Sequence, residues 1–211
     1  MLIQLLFSNP AAFILIAVAL VISLSIHEFA HAWTADKLGD PTARSQGRVT
    51  LNPLAHLDLL GTILIFFIGF GWGKPVPFDP YNLKKPLRDS ALIALAGPVS
   101  NLLLAGGLSV LLHVFGSGTG LGSQIFEVFA TLTIFYNVML AVFNLIPVYP
   151  LDGSKVLLPL LPESIAHEYE QFMSRYGNII LLALIFPWNG SSAVSQLISP
   201  IIDAITGVLI G

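Results

Sequence analysis

Long apolar runs separated by short polar stretches set the pattern of this chain. Four of them, Ala11 to Trp33, Ser90 to Phe115, Gln124 to Ile146 and Ser191 to Ile210, each approach the roughly 20 residues that a helix needs to cross about 30 Å of hydrocarbon. A shorter run, Leu59 to Trp72, would reach only about 21 Å as a helix and is read as re-entrant, entering and leaving on one side. Another short run, Gly177 to Phe186, follows the polar stretch ESIAHEYEQFMSRY. One helix is expected to start near Glu163 and enter the membrane near Tyr176, with Pro187, Asn189 and Gly190 turning the chain into the last helix.

The pattern predicts an all-α, polytopic membrane bundle of about five to six membrane segments, one of them re-entrant, with a small β-hairpin-like element. Composition agrees: 55% of residues are hydrophobic and only 10% charged, against about 25% charged in soluble domains, and mean hydropathy is +0.83. The lipid bilayer is therefore the first partner. A net charge of −3 with no basic patch gives no sign of nucleic acid binding. The first apolar run has no basic leader or small-residue cleavage site and reads as a retained helix. Without an internal repeat or linker, residues 1–211 are expected to form a single membrane domain.

Basic residues fall in three segments: Lys37, Arg44 and Arg48; Lys74, Lys84, Lys85 and Arg88; Lys155 and Arg175. Cytoplasmic loops are enriched in Lys and Arg, and a re-entrant Leu59 to Trp72 places all three segments on the cytoplasmic side. If that run crossed, the second segment would be exported.

The absence of cysteine excludes disulfides, thiolate metal sites and cysteine nucleophiles. Any metal must be held by histidine and carboxylate. SIHEFAHAW, residues 25 to 33, puts His27 and His31 four apart inside an apolar span. On a helix both imidazoles leave one face about 6 Å apart along the axis and can grip one ion, while Glu28 can reach a water on that ion as general base. The same residues can simply pack helices together, but ionisable groups at membrane depth are costly and functional by default.

Catalytic zinc usually takes three protein ligands. The candidates for the third are Asp36, Asp40, Asp58, Asp152 and His56. Asp36 and Asp40 follow too closely on the same helix or its exit to fold back easily. Asp152 ends NLIPVYPLDG, residues 144 to 153, whose prolines and glycine must break the helix. Broken backbone at membrane depth is tolerated where it is buried in protein or lines a wet cavity, a place suited to a ligand. A re-entrant Leu59 to Trp72 brings Asp152 to the side of His27 and His31; a crossing run would send it to the opposite face.

HEFAH in a span, joined to a distant LDG after a proline-broken helix, resembles the site-2 protease family of intramembrane zinc metalloproteases. AGPVSN, residues 96 to 101, is similar to that family's glycine-proline-x-x-asparagine element. GRVTLNPLAHLDLLGT, residues 47 to 62, and GFGWGKPVP, residues 69 to 77, look like its compact bacterial and archaeal branch. The resemblance implies one Zn2+ per chain on His27, His31 and Asp152, Glu28 as catalytic base, and Asn101 and Asn144 near the cleft, holding substrate backbone or oxyanion, although asparagine in a membrane span equally serves hydrogen bonds between helices. It implies hydrolysis within or near the transmembrane segment of a single-span membrane protein, in a prokaryotic inner membrane with the site towards the cytoplasm. The family's PDZ and CBS appendages have no counterpart here.

Two readings compete with proteolysis: a metal transporter or sensor using the same three ligands, and an inactive scaffold that binds membrane helices. His56 and Asp58 are assigned to a polar turn. GWGKPVPF is a candidate edge strand for an extended substrate.

Overall fold

The computed structural model describes residues 2–68, 71–116, 118–188 and 190–211. Gly69 and Phe70 of the predicted re-entrant run, Ser117 and Asn189 lie outside the described residues. In chain order the elements are α1 (Leu2–Ser8), α2 (Pro10–Leu38), α3 (Thr42–Ser45), α4 (Leu59–Ile68), α5 (Pro86–Phe115), α6 (Leu121–Asn144), α7 (Asp152–Leu157), α8 (Glu163–Ile185), β1 (Pro187–Trp188), β2 (Ser191–Ser192) and α9 (Ala193–Ile210).

Among the described residues, α2, α5, α6 and α9 are long and apolar enough to cross a membrane. They coincide with the four long runs, and α8 begins at the expected Glu163. The β-hairpin-like element is the antiparallel pair β1 and β2, between α8 and α9. The GWGKPVPF stretch forms no regular strand; Gly73 makes one isolated bridge to Leu57. Pro75 and Pro77 lack the N–H groups that an edge strand would offer a partner.

Local signals start and stop α2. Asn9 accepts a hydrogen bond from the Ala12 amide at 3.1 Å, and Pro10 takes the first turn, where no N–H is needed. Gly39, at φ 106°, ends the helix with its amide turned back to Ala35 and Asp36 carbonyls, a conformation that glycine adopts without steric cost.

α2, α5 and α6 pack on one another at the centre. Their contacts are lined by small residues, with Ala19, Ala32, Ala35, Ala105, Ala130 and Ala141 fully buried. Leu103, Val110, Phe115 and Val208 are exposed. Small inside and large outside is the expected arrangement in lipid, where tails are as apolar as leucine and close backbone approach drives packing. A second apolar cluster, including Ile134, Val138, Leu181, Ile198 and Ile202, fastens α8 and α9 to α6.

α4 turns back. A side chain added at Gly61 would meet the Trp72 carbonyl oxygen at 2.1 Å, and one added at Gly71 the Gly61 carbonyl oxygen at 2.0 Å. The returning chain thus lies backbone to backbone on the helix it left, and the Lys74 amide donates to the His56 carbonyl at 2.8 Å. Leu57 and Gly73, at the two ends of the run, meet in an isolated bridge, as the re-entrant reading requires.

After α6 the chain folds back through Leu145 to Leu151 into α7. Tyr149-Pro150 is a cis peptide. Gly153 lies so close to the end of α6 that a Cβ would meet the Leu145 carbonyl oxygen at 2.2 Å. Only glycine lets the first turn of α7 seat there, which aims the neighbouring Asp152 at α2.

Candidate metal centre

His27, His31 and Asp152 come together. The Nε2 atoms of the two histidines are 3.0 Å apart, and each lies 3.2 to 3.3 Å from Asp152 Oδ2. The three ligand atoms form a nearly equilateral triangle among α2, α5 and α7. Ligands at about 2.0–2.1 Å from a tetrahedral zinc stand roughly 3.3 Å apart, so the triangle matches one face of such a site and leaves a fourth position.

Hydrogen bonding tests whether the triangle fits a cation. His31 Nδ1 lies 2.7 Å from the Ile93 carbonyl oxygen. A carbonyl only accepts, so Nδ1 carries the hydrogen and Nε2 presents a lone pair. His27 Nδ1 lies 2.6 Å from Asn101 Oδ1 and likewise turns Nε2 inward. Asp152 Oδ2 is buried and has no hydrogen-bond partner. Three acceptors facing one another without a hydrogen between them are unfavourable unless a cation joins them. The residues therefore fit a divalent metal held by two nitrogens and one oxygen, a donor set that suits zinc.

α5 supplies the floor. A Cβ at Gly97 would stand 2.5 Å from His31 Nε2 and 2.6 Å from His27 Nε2, so any side chain there would enter the metal position. Pro98 cannot donate to the Ala94 carbonyl, and this loosened part of α5 carries the Ile93 oxygen that orients His31.

Glu28 is buried beside His27 and lies close enough to His31, Arg48 and Lys155 to act on their charge. Lys155, one turn beyond Asp152, rests its ammonium 4.3 Å from the centroid of the Phe78 ring. Burial pulls that ammonium below its ordinary value, and Asp152 and Glu28 oppose the shift. Arg48 is buried and donates to the Lys74 and Pro75 carbonyls, tying the returning chain to the loop after α3.

The other candidate ligands are used elsewhere. Asp36 pairs with Arg44. Asp40 gathers donors from Thr42, Asp79 and Asn82. Asp58 accepts from the Gly61 amide at 2.8 Å and caps α4. His56 is fully buried, with Nε2 at 2.7 Å from the Thr50 carbonyl.

The two asparagines for which the resemblance implied a substrate-binding role stand in different surroundings. Asn101 is fully buried, and its amide is committed to His27, Ser23 and Asn137. Its amide nitrogen is used by two acceptors, and its oxygen faces His27. Asn144 is half-buried at the end of α6 and donates to the Leu140 carbonyl at 3.0 Å. It stays a candidate for the cleft. Asn137 and Ser23 escaped the reading of the sequence, although an asparagine in the middle of TIFYNVML was a signal in its own right.

Residues 121–186 match the model of peptidase family M50. A Bacillus subtilis protein named as a zinc metalloprotease, YwhC, is 43% identical over 178 residues, which cover 80% of this chain and 78% of that protein. Rip2 of Mycolicibacterium smegmatis, named likewise, is 35% identical over 164 residues, covering 74% of this chain and 61% of that protein. MJ0611 of Methanocaldococcus jannaschii, also named as a zinc metalloprotease, is 32% identical over 158 residues, covering 72% and 75%. No solved structure matches.

Proposed function

Because the chain belongs to peptidase family M50 and is a zinc-dependent metalloprotease of the membrane, we propose that it hydrolyses a peptide bond within or beside the transmembrane segment of a single-span membrane protein. The observation that carries this reading is the position of the ligand triangle, buried where α2, α5 and α7 meet, with two ligands on a helix able to cross the bilayer.

His27, His31 and Asp152 hold one zinc. When bound, zinc supplies Lewis acidity, polarising the scissile carbonyl and making water acidic near neutral pH. Glu28 takes the proton from the attacking water and returns it to the leaving amine. Asn101 and the Ile93 carbonyl hold the imidazoles in place. Asn144, at the end of α6, is a candidate to steady substrate backbone or oxyanion. A substrate helix hides its carbonyls in its own hydrogen bonds, so it must unwind locally before it reaches the triangle.

The same reading includes an orientation. With α4 turned back, the basic residues after α2, before α5 and after α6 share a side with the site, which supports an orientation towards the cytoplasm of a prokaryotic inner membrane. A metal transporter would use the same ligands but gives Glu28 no task.

The test is cleavage of a co-expressed single-span reporter by wild type and Glu28→Gln, with zinc content measured on both. The expected result is about one zinc in each and a fall of roughly 10²–10⁴-fold or more in cleavage for Glu28→Gln. Normal cleavage by a zinc-loaded Glu28→Gln would remove Glu28 as the base. Zinc in a chain that cleaves no membrane segment would favour the transport or scaffold readings.

A further inference from the structure

Behind His27 runs a chain of three polar side chains, one from each of three helices. His27 Nδ1 is 2.6 Å from Asn101 Oδ1. Asn101 Nδ2 donates to the Ser23 carbonyl at 3.1 Å and to Asn137 Oδ1 at 2.7 Å. Asn137 Nδ2 in turn donates to the Thr133 carbonyl at 2.8 Å and to Ser23 Oγ at 2.7 Å, and Ser23 Oγ donates to the Ala19 carbonyl at 2.7 Å. Ser23, Asn101 and Asn137 are all fully buried.

The chain has a direction, and backbone fixes it. An amide side chain can be turned end for end, exchanging its oxygen with its nitrogen. Asn137 cannot be turned, because its nitrogen faces the Thr133 carbonyl, which only accepts. Its oxygen is thereby aimed at Asn101. Asn101 cannot be turned either, because its nitrogen faces both the Ser23 carbonyl and that Asn137 oxygen. The oxygen of Asn101 is left facing His27, so the imidazole must place its hydrogen on Nδ1 and its lone pair on Nε2.

From this we infer that Asn137, with Ser23, is a positioning residue of the metal centre. It sets, through Asn101, which nitrogen of His27 faces the ion, although it touches neither the ion position nor any ligand. The inference rests on the metal-site reading above. His31 has a shorter device for the same purpose, a single backbone carbonyl at Ile93, and so provides an internal control. Helix adhesion alone would not require this direction: hydrogen bonds between α2, α5 and α6 would form equally well with both amides reversed, were it not for the two carbonyls.

The test uses full-length, zinc-loaded protein in detergent, as wild type, Asn137→Ala and Ser23→Ala. Zinc affinity is measured by competition with a chelator, and hydrogen exchange at the ring N–H of His27 and His31 by NMR with ¹⁵N-labelled histidine. In wild type both Nδ1–H groups should be present and protected. Asn137→Ala should lower zinc affinity roughly 10-fold, the low end of the 10–100-fold typical of groups that orient metal ligands, and speed exchange at His27 while leaving His31 unchanged. Ser23→Ala should act in the same sense and less strongly.

Zinc affinity within twofold of wild type in both variants, with His27 still protected, would overturn the inference and make the chain a helix contact only. A wild-type spectrum with the His27 hydrogen on Nε2 would overturn it whether or not Asn137→Ala folds. Wild type that binds no zinc would bring down the metal-site reading itself, a different result from zinc-bound wild type with indifferent variants.

Discussion

Two regions of this protein gather histidine and aspartate, and they differ in where their hydrogens are. The first is the triangle of His27, His31 and Asp152. The second is the polar collar of residues 36–58, with Asp36, Asp40, His56 and Asp58. In the collar each carboxylate faces donors: Arg44 for Asp36, backbone and Asn82 for Asp40, the start of α4 for Asp58. In the triangle three acceptors face one another, and the Asp152 oxygen has no donor. The collar has orphans of its own, Arg48 Nε and His56 Nδ1, yet among the described residues His56 belongs to no group of three converging ligands. Residue type alone does not mark a metal site; convergent lone pairs without hydrogens do.

The comparison breaks most sharply on carboxylates exchanged for amides. Asp152→Asn removes the one anionic ligand, and zinc affinity should fall by more than the roughly 100-fold that the loss of an orienting neighbour can cost. Cleavage should vanish with it. Asp58→Asn should leave zinc content at the wild-type level and change stability little, because asparagine caps a helix about as well as aspartate. Metal analysis of the two purified variants decides the matter. Equal zinc in both would return Asp58 or His56 to the list of ligands.

A smaller effect is expected where the two regions make opposite demands on glycine. Gly39 in the collar needs its positive φ; Gly97 in α5 has ordinary helical geometry, and helix propensity alone would favour Gly97→Ala by about 1 kcal/mol. The site predicts the reverse for function. The added methyl would meet both metal-facing nitrogens within 2.6 Å, and a displacement near 1 Å is enough to cost about 100-fold in turnover. Reporter cleavage and thermal unfolding of the same preparation separate the two effects. A fully active Gly97→Ala would mean that α5 does not press on the metal position.

Much of this was legible in the chain because the membrane enforces it. Apolar length revealed the four spans, a shortfall in length revealed the turn at α4, and the cost of ionisable groups in hydrocarbon singled out His27, Glu28 and His31. Asp152 was legible because proline and glycine must break a helix. The rest depended on which helix faces met. Asn101 could be seen as important, but its contact with His27 depends on the rotation of α5 against α2. Asn137 gained its role from a partner 36 positions away in sequence. Gly97 is one of 18 glycines, and only tertiary contact distinguishes it from those that stand in open space.

The smallest expected effect lies in the collar and depends on pH. Asp40 is fully buried just after α2 and accepts from the Thr42 amide at 3.1 Å, the Asp79 amide at 2.7 Å and Asn82 Nδ2 at 2.8 Å. Burial by itself would raise its carboxyl, but these donors, with the Thr42 hydroxyl, outweigh it and hold the group below its ordinary 3.8. Unfolding releases it to that ordinary value. The stabilisation is therefore complete above about pH 4 and is lost as pH falls through the lower folded-state value. At pH 7, Asp40→Asn should cost about 2 kcal/mol, the scale of a hydrogen bond to a charged group, or about 4–8 °C in Tm for a chain of this size. The gap should narrow as both proteins are taken towards pH 3, because the unfolded wild-type chain binds a proton at its ordinary value while the folded carboxylate does not. Thermal unfolding in one detergent from pH 7 to pH 3 measures it. A gap that stays constant to pH 3 would mean that the collar is held by the shape of Asp40 and not by its charge, whereas a closing gap ties the loop at Asp79 to α2 through an anion that its donors fully satisfy.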